Sequence, residues 1–232
     1  MAETVMITGA NRGIGLEFVR QYFEKGWEIY ATARQPEKAE ELHELQSQDP
    51  DRLNIMKLDI SVPEAVEAMG RTLERVIGSL DLLINNAGTY GSKASFEELT
   101  AGDIREVFET NCLGSFRVTR RLMDLLKAGE GKIVFITSLM GSIDDNRSGG
   151  AYPYRISKAA LNMLGKTISE DYKHEGIYSL LLHPGWVKTR MGGENAKITT
   201  RESVTGMCEV IENLDEKMSG EFYAYDGEKR PW

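Results

Sequence analysis

Short apolar runs alternate along the chain with longer stretches in which apolar positions recur at helical spacing. The short runs are Val5 to Thr8, Trp27 to Ala33, Leu53 to Leu58, Leu80 to Asn85, Lys132 to Ser138 and Ile177 to His183. Each reads as a strand, and the segments between them read as helices. Runs as continuously apolar as Ile133-Val134-Phe135-Ile136 suit a parallel sheet covered by helices on both faces. Glu221 to Tyr225, closed by the turn pair Asp226-Gly227, predicts a last strand at the sheet edge. The expectation is an α/β, three-layer, doubly wound Rossmann-type fold with a mostly parallel sheet of about seven strands, in one domain over residues 1–232. Two segments, Gly141 to Gly150 and Gly192 to Thr200, read as loops at the carboxyl ends of strands, where such sheets bind ligands.

With 232 residues and 41% hydrophobic composition the chain can bury one substantial core. Its formal charge of −8, without a block of Lys and Arg, argues against nucleic acid or an anionic membrane and favours a small-molecule partner. No run approaches the ~18 apolar residues of a spanning helix, and Met1-Ala2-Glu3-Thr4 carries no leader pattern, so a cytoplasmic protein is expected. Cys112 and Cys208 lie far apart and without metal-ligand spacing, which predicts structural thiols and no metal.

The first candidate for chemistry is Thr8-Gly9-Ala10-Asn11-Arg12-Gly13-Ile14-Gly15, placed where the first strand turns into a helix. Glycine permits the positive φ of a tight turn and lets backbone approach phosphate oxygens, while the helix N-terminus attracts the anion. A dinucleotide pyrophosphate fits there, although glycines also occur at such turns in folds that bind nothing. At the end of the second strand, where an acid would bind a ribose 2′-hydroxyl, the chain has Arg34. Arg34 and Arg12 together form a candidate clamp for a 2′-phosphate, which predicts a preference for NADP(H), with NAD(H) left open; the alternative is a solvated surface arginine.

Tyr154 and Lys158 stand four apart in a segment that continues as a good helix, so their side chains share a face. Using a phenol as acid or base near neutral pH requires a shift of roughly three pKa units, about 4 kcal/mol, and in a partly desolvated cleft Lys158 together with the positively charged ring of an oxidised nicotinamide would supply it. The bland alternative is a solvated pair. Tyr225 and Lys229 share the spacing, but Asp226-Gly227 between them favours a turn. Ser138, sixteen residues before Tyr154, closes a strand and can donate to a substrate carbonyl, or it is only a turn former.

These residues in this order, with Leu58-Asp59, Asn85-Asn86-Ala87-Gly88, Asn111 and Pro184-Gly185 followed by Thr189, resemble the short-chain dehydrogenase/reductase family from Val5 to about Tyr225. The resemblance implies an oxidoreductase with Tyr154 as proton donor or acceptor, Ser138 orienting the carbonyl, Lys158 as electrostatic partner and ribose ligand, and Asn111 completing a tetrad on a locally opened helix. It also implies a cofactor site of Gly9, Asn11, Arg12, Gly13, Ile14, Gly15, Arg34, Asp59 and Ile60, with Asn86, Ala87 and Gly88, then Tyr154 and Lys158, and finally Pro184, Gly185, Trp186, Val187 and Thr189. Asp59 would bind the adenine, and Pro184 to Thr189 the nicotinamide carboxamide. The closest look is to the branch of sniffer-type carbonyl reductases and C-factor-like proteins. Between Ser138 and Tyr154 the chain runs three residues longer than the family's commoner spacing, at Asp144 to Gly150.

Trp186, Met191, Met140, Tyr90 and Tyr152 are candidates for an apolar pocket lining. The leading expectation is an NADPH-dependent reductase of ketones or aldehydes; the alternative is a C-factor-like signalling or scaffold protein with little catalysis. A nucleotide-sugar epimerase or dehydratase is disfavoured, because only about forty residues follow Thr189. The family further implies a homodimer or homotetramer through the helices bearing Asn111 and Tyr154, with a monomer as the alternative for this branch.

Overall fold

The computed structural model describes residues 3–232. Seven strands form one sheet: β1 (Thr4–Ile7), β2 (Glu28–Ala33), β3 (Leu53–Lys57), β4 (Leu82–Asn85), β5 (Lys132–Ile136), β6 (Tyr178–His183) and β7 (Phe222–Ala224). Their order is β3-β2-β1-β4-β5-β6-β7, and every pair is parallel. The sheet is thus fully parallel where a mostly parallel one was expected, because even the short last strand continues in the direction of β6.

Side-chain alternation within the strands divides the core. Val5, Ile7, Ile29, Ala31, Leu82, Ile84, Val134 and Ile136 point to one face, where they meet Leu16, Phe18, Val19 and Tyr22 of α1 (Gly13–Glu24) and Val204, Met207 and Ile211 of α7 (Thr200–Glu212). Met6, Tyr30, Leu83, Ile133 and Phe135 point to the other, against Leu73 of α3 (Pro63–Val76), Leu122 and Leu126 of α5 (Ser115–Gly129) and Leu161 of α6 (Tyr152–Tyr172). Two further helices are α2 (Glu40–Gln48) and α4 (Ala101–Phe108). The inner strands β1, β4, β5 and β6 are buried on both faces along nearly their whole length, which is why they read as near-continuous apolar runs, whereas the edge strand β3 is only half-buried.

Strand ends shift by a residue or two from the sequence reading in all seven strands, and in β4 and β5 the cause is visible. β4 begins at Leu82, because the Asp81 carboxylate accepts from the backbone N–H (2.7 Å) and hydroxyl (2.8 Å) of Thr4 and so ties the two strand starts together. β5 ends at Ile136, so Ser138 does not close it; its hydroxyl accepts from the Met140 N–H (3.1 Å) and caps the 3₁₀ turn Leu139–Gly141. At the far edge, the chain after β7 turns back. The Ala224 N–H donates to the Glu228 carbonyl (2.8 Å) and the Arg230 N–H to the Phe222 carbonyl (2.7 Å), which covers the open side of β7. Among the described residues no helix is long and apolar enough to cross a membrane.

The sheet order reverses between β1 and β4, and a crevice opens there at the carboxyl ends of the strands. The candidate residues converge on that crevice.

Candidate active site

The glycine turn connects β1 to α1. Gly9 (φ +64°) and Gly13 (φ +57°) take the left-handed conformation. A Cβ on Gly9 would meet the Ala87 Cα at 2.9 Å, and one on Gly15 the Gly9 carbonyl oxygen at 2.4 Å. The turn is therefore folded against β4 and has no room for side chains. Thr8 and Asn86 bind it there: the Thr8 hydroxyl accepts from the N–H groups of Asn86 and Ala87 (3.0 Å each), and the Asn86 side chain donates to the carbonyls of Thr8 (2.8 Å) and Gly9 (3.1 Å). No side chain caps the N-terminus of α1, which leaves its first amides free for an anion.

Arg12 and Arg34 are both exposed, Arg34 one residue beyond β2. Among the described residues neither pairs with a carboxylate. Asp59, after β3, accepts from the N–H (3.0 Å) and hydroxyl (2.6 Å) of Ser61. Ile60 is buried and packs where a Cβ on Gly114 would stand, 2.7 Å from its Cγ1, so its side chain fills the core while its backbone borders the crevice. On the opposite side the loop after β6 comes over the turn: Thr189 lies against Gly13, its Cγ2 3.5 Å from the Cβ position. That loop is held by the bridge between Val187 and Ile198 and by the Trp186 indole, which donates to the Gly192 carbonyl (2.8 Å).

In α6 the four-residue spacing brings Tyr154 and Lys158 onto one buried face. The Lys158 Nζ sits 5.6 Å from the centre of the Tyr154 ring and donates to the Ile136 carbonyl (2.7 Å). The Ser138 hydroxyl lies close enough to the Tyr154 phenol to oppose the rise that burial imposes on it. Tyr90 stacks on Tyr154, centroids 4.9 Å apart, and Tyr152 meets Phe96 at 5.1 Å. Asn111 is wholly buried on a six-residue π-helical segment, Glu109–Gly114, between α4 and α5. Its side chain accepts from the Thr89 N–H (2.8 Å) and donates to the Thr89 carbonyl and the Ser157 hydroxyl (2.9 Å each). A Cβ on Gly88 would stand 3.1 Å from Asn111 Oδ1 and 3.8 Å from Lys158 Nζ. Asn111, Ser138, Tyr154 and Lys158 thus meet at one end of the crevice.

The electrostatics of the chain alone are set first by burial. Burial pushes Tyr154 up to about 12, with the Ser138 hydrogen bond opposing, and burial pushes Lys158 down to about 8. Lys158 therefore loses its proton before Tyr154 does, and in the chain alone the ammonium does not depress the phenol. Near neutral pH the pair is a neutral phenol beside a charged lysine. Cys112, next to Asn111, is a buried free thiol pushed up to about 11 by burial, and Cys208 is also buried and free. His183, at the end of β6, is pushed down to about 4 by burial, and its Nδ1 has no hydrogen-bond partner.

Of the pocket-lining candidates, Tyr90 and Tyr152 take the aromatic contacts above, while Trp186 and Met191 are half exposed on the loop after β6. Sequence reasoning missed Thr8, Ser157 and Arg155, whose roles lie in hydrogen bonds to segments distant in the chain.

A parallel sheet wound in this order, with a glycine turn at the reversal and a buried Tyr and Lys facing it, defines a nucleotide-binding oxidoreductase architecture. The chain belongs to the short chain dehydrogenase family, whose model matches residues 3–199. It is 44% identical to C-signal of Myxococcus xanthus over 156 residues, 67% of this chain and 94% of that protein. The NADPH-bound carbonyl reductase from chicken fatty liver is 39% identical and superposes with a TM-score of 0.94 over 100% of this chain and 99% of that one. Carbonyl reductase Sniffer of D. melanogaster is 31% identical with a TM-score of 0.95, covering 100% of both chains. The expected kinship with sniffer-type and C-factor-like proteins is borne out.

Proposed function

We propose that this oxidoreductase is an NADP(H)-dependent carbonyl reductase that works as one dinucleotide-binding unit and converts a ketone or aldehyde to the alcohol. The observation that carries the reading is the meeting of the Ser138 and Tyr154 hydroxyls on the side of the crevice where Lys158 lies. The cradle fits the cofactor: uncapped amides at α1, glycines with no space for a Cβ, and two unpaired arginines near the ribose end of such a ligand. The likeness to two carbonyl reductases, one of them NADPH-bound, supports the same assignment. Bound there, the nicotinamide supplies the hydride.

The chain's residues supply position and a proton. Ser138 donates to the carbonyl oxygen and polarises it. Tyr154, protonated at neutral pH because its pKa is raised, gives its proton to that oxygen as hydride reaches the carbon, which turns C=O into CH–OH. The phenolate left behind is stabilised by the Lys158 ammonium. Asn111 holds the strand-end loop at Thr89 and the helix at Ser157, and so fixes the spacing of the crevice walls.

Likeness to C-signal favours a second reading, a cofactor-binding signalling protein with little catalysis. Purified protein assayed with NADPH against a panel of carbonyls tests both readings. Turnover that falls by about 10²–10⁴ in Tyr154→Phe, with NADPH binding retained, is the expected result. Binding of NADPH with no turnover of any carbonyl, or full activity in Tyr154→Phe, would sink the catalytic reading.

A further inference from the structure

We propose that Arg155 is a positioning residue that fixes the loop between Ser138 and Tyr154 as a rigid wall of the substrate pocket. This rests on the reading of Ser138 and Tyr154 as the reacting pair. The guanidinium reaches both ends of the loop. Its Nη1 donates to the Met140 carbonyl (3.2 Å), its Nη2 to the Ser148 hydroxyl (2.8 Å), and its Nε to the carbonyls of Gly149 (3.2 Å) and Gly150 (3.1 Å). Arg155 makes no carboxylate pair among the described residues, so its hydrogen bonding goes to this loop.

The loop needs such an anchor. Residues 143–150 are exposed, and a Cβ on Gly149 or Gly150 would meet no atom within 4 Å. Gly149 (φ +62°), Gly150 (φ +66°) and Ala151 (φ +48°) are three left-handed residues in succession; the glycines take this conformation freely, but Ala151 resists it and its surroundings must impose it. Two of the three present their carbonyls to the same Nε. The remaining loop bonds, Asp145 N–H to the Ser142 hydroxyl (3.0 Å) and Gly149 N–H to the Asn146 side chain (3.1 Å), are internal and tie the loop to nothing else. Outside Arg155, the Asn162 side chain donates to the Gly141 carbonyl (3.4 Å), and at the opposite end the Asp144 N–H donates to the carbonyl of Trp232 (2.8 Å), whose ring stacks on Phe222 at 5.8 Å.

The extra residues between Ser138 and Tyr154 are thereby clamped, from α6 on one side and from the tail behind β7 on the other. A small carbonyl held between Ser138 and Tyr154 does not reach this wall, whereas one with a bulky apolar group extends along it, past Ile143 and Tyr152, both of which expose apolar surface. The inferred role is discrimination by size: the fixed wall favours large apolar substituents and leaves the chemistry at the carbonyl unchanged.

The test compares wild type, Arg155→Met and Arg155→Lys in two measurements. In amide hydrogen exchange on the NADPH-loaded protein, Arg155→Met is expected to speed exchange in residues 142–151 by about tenfold or more, the factor for losing one charge-assisted bond, with the glycine turn and the rest of α6 unchanged. Arg155→Lys, which folds with one donor group retained, falls between. In turnover of 2-butanone and of propiophenone, KM for propiophenone is expected to rise by about tenfold in Arg155→Met, while kcat on both ketones stays within about threefold. Unchanged exchange in the loop overturns the proposal, as does acceleration spread evenly through α6, or an equal loss of kcat on both ketones. A protein that turns over neither ketone overturns the size-discrimination role, and the exchange result still decides the anchoring. Failure of the catalytic reading is registered separately, by full activity in Tyr154→Phe.

Discussion

Replacing Lys158 with Met is expected to stabilise the cofactor-free protein while abolishing its activity. The lysine is buried, and its pKa is held down at about 8 against an ordinary 10.5, so its charged form is the costly one in the folded state. Between those values the unfolded chain binds more protons than the folded one, and stability rises with pH. The difference of 2.5 units corresponds to about 3 kcal/mol of penalty, fully present below pH 8 and relieved as pH climbs toward 10.5. Met matches the stem in length and carries no charge, but leaves the Ile136 carbonyl without the Lys158 Nζ bond, at about 1 kcal/mol. The net gain at pH 7 is about 2 kcal/mol, or roughly 4–8 °C in Tm for a chain of this size. Urea unfolding of wild type and Lys158→Met at pH 7 and pH 10, without nucleotide, measures it. The gap between the two should shrink by about 2 kcal/mol over that interval, because wild type loses its buried charge and the variant has none to lose. A variant less stable than wild type at pH 7, or a gap independent of pH, refutes the assignment of Lys158 as a destabilised buried cation held in place for catalysis.

Three other outcomes follow from the same structure. Arg12→Ala with Arg34→Ala should weaken NADPH binding by about 10–100-fold and NADH binding by less than about threefold, since only the former carries the 2′-phosphate, and nucleotide titration by fluorescence distinguishes them. His183, ordinarily near 6.5 and here pushed down to about 4, remains neutral when folded, so stability is lost as pH falls from 6.5 through 4; His183→Gln should remove up to about 3 kcal/mol of that acid sensitivity in urea melts at pH 7 and pH 4.5. Glu130, the left-handed residue after α5 (φ +49°), is exposed, and Glu130→Gly should raise stability by about 0.5–1 kcal/mol in thermal melts by relieving the strain.

What the sequence made legible depended on local chemistry. The central strands were readable because they are buried on both faces, so Ile133-Val134-Phe135-Ile136 needs no partner to announce itself. Tyr154 and Lys158 were readable because helical spacing alone aligns them. Ser138 was found as a residue but misplaced as a strand end, since the hydroxyl that caps a short turn competes with the ladder and composition does not say which wins. The π-helical segment around Asn111 was reached only through family likeness. Glu109-Thr110-Asn111-Cys112-Leu113-Gly114 has no local reason to open, and what stabilises the extra residue in the turn is tertiary: both amide groups of Asn111 are taken by Thr89 and Ser157, from two other parts of the chain. The same holds for the loop that Arg155 grips. It holds most clearly for the ionisation order of Tyr154 and Lys158 in the chain alone. Spacing put the two groups together, but the depth of burial decides which one carries charge, and depth is a property of the whole fold. Because the folded chain keeps the phenol neutral and the lysine charged near neutral pH, the proposed reduction starts from a phenol that still holds the proton it is to give.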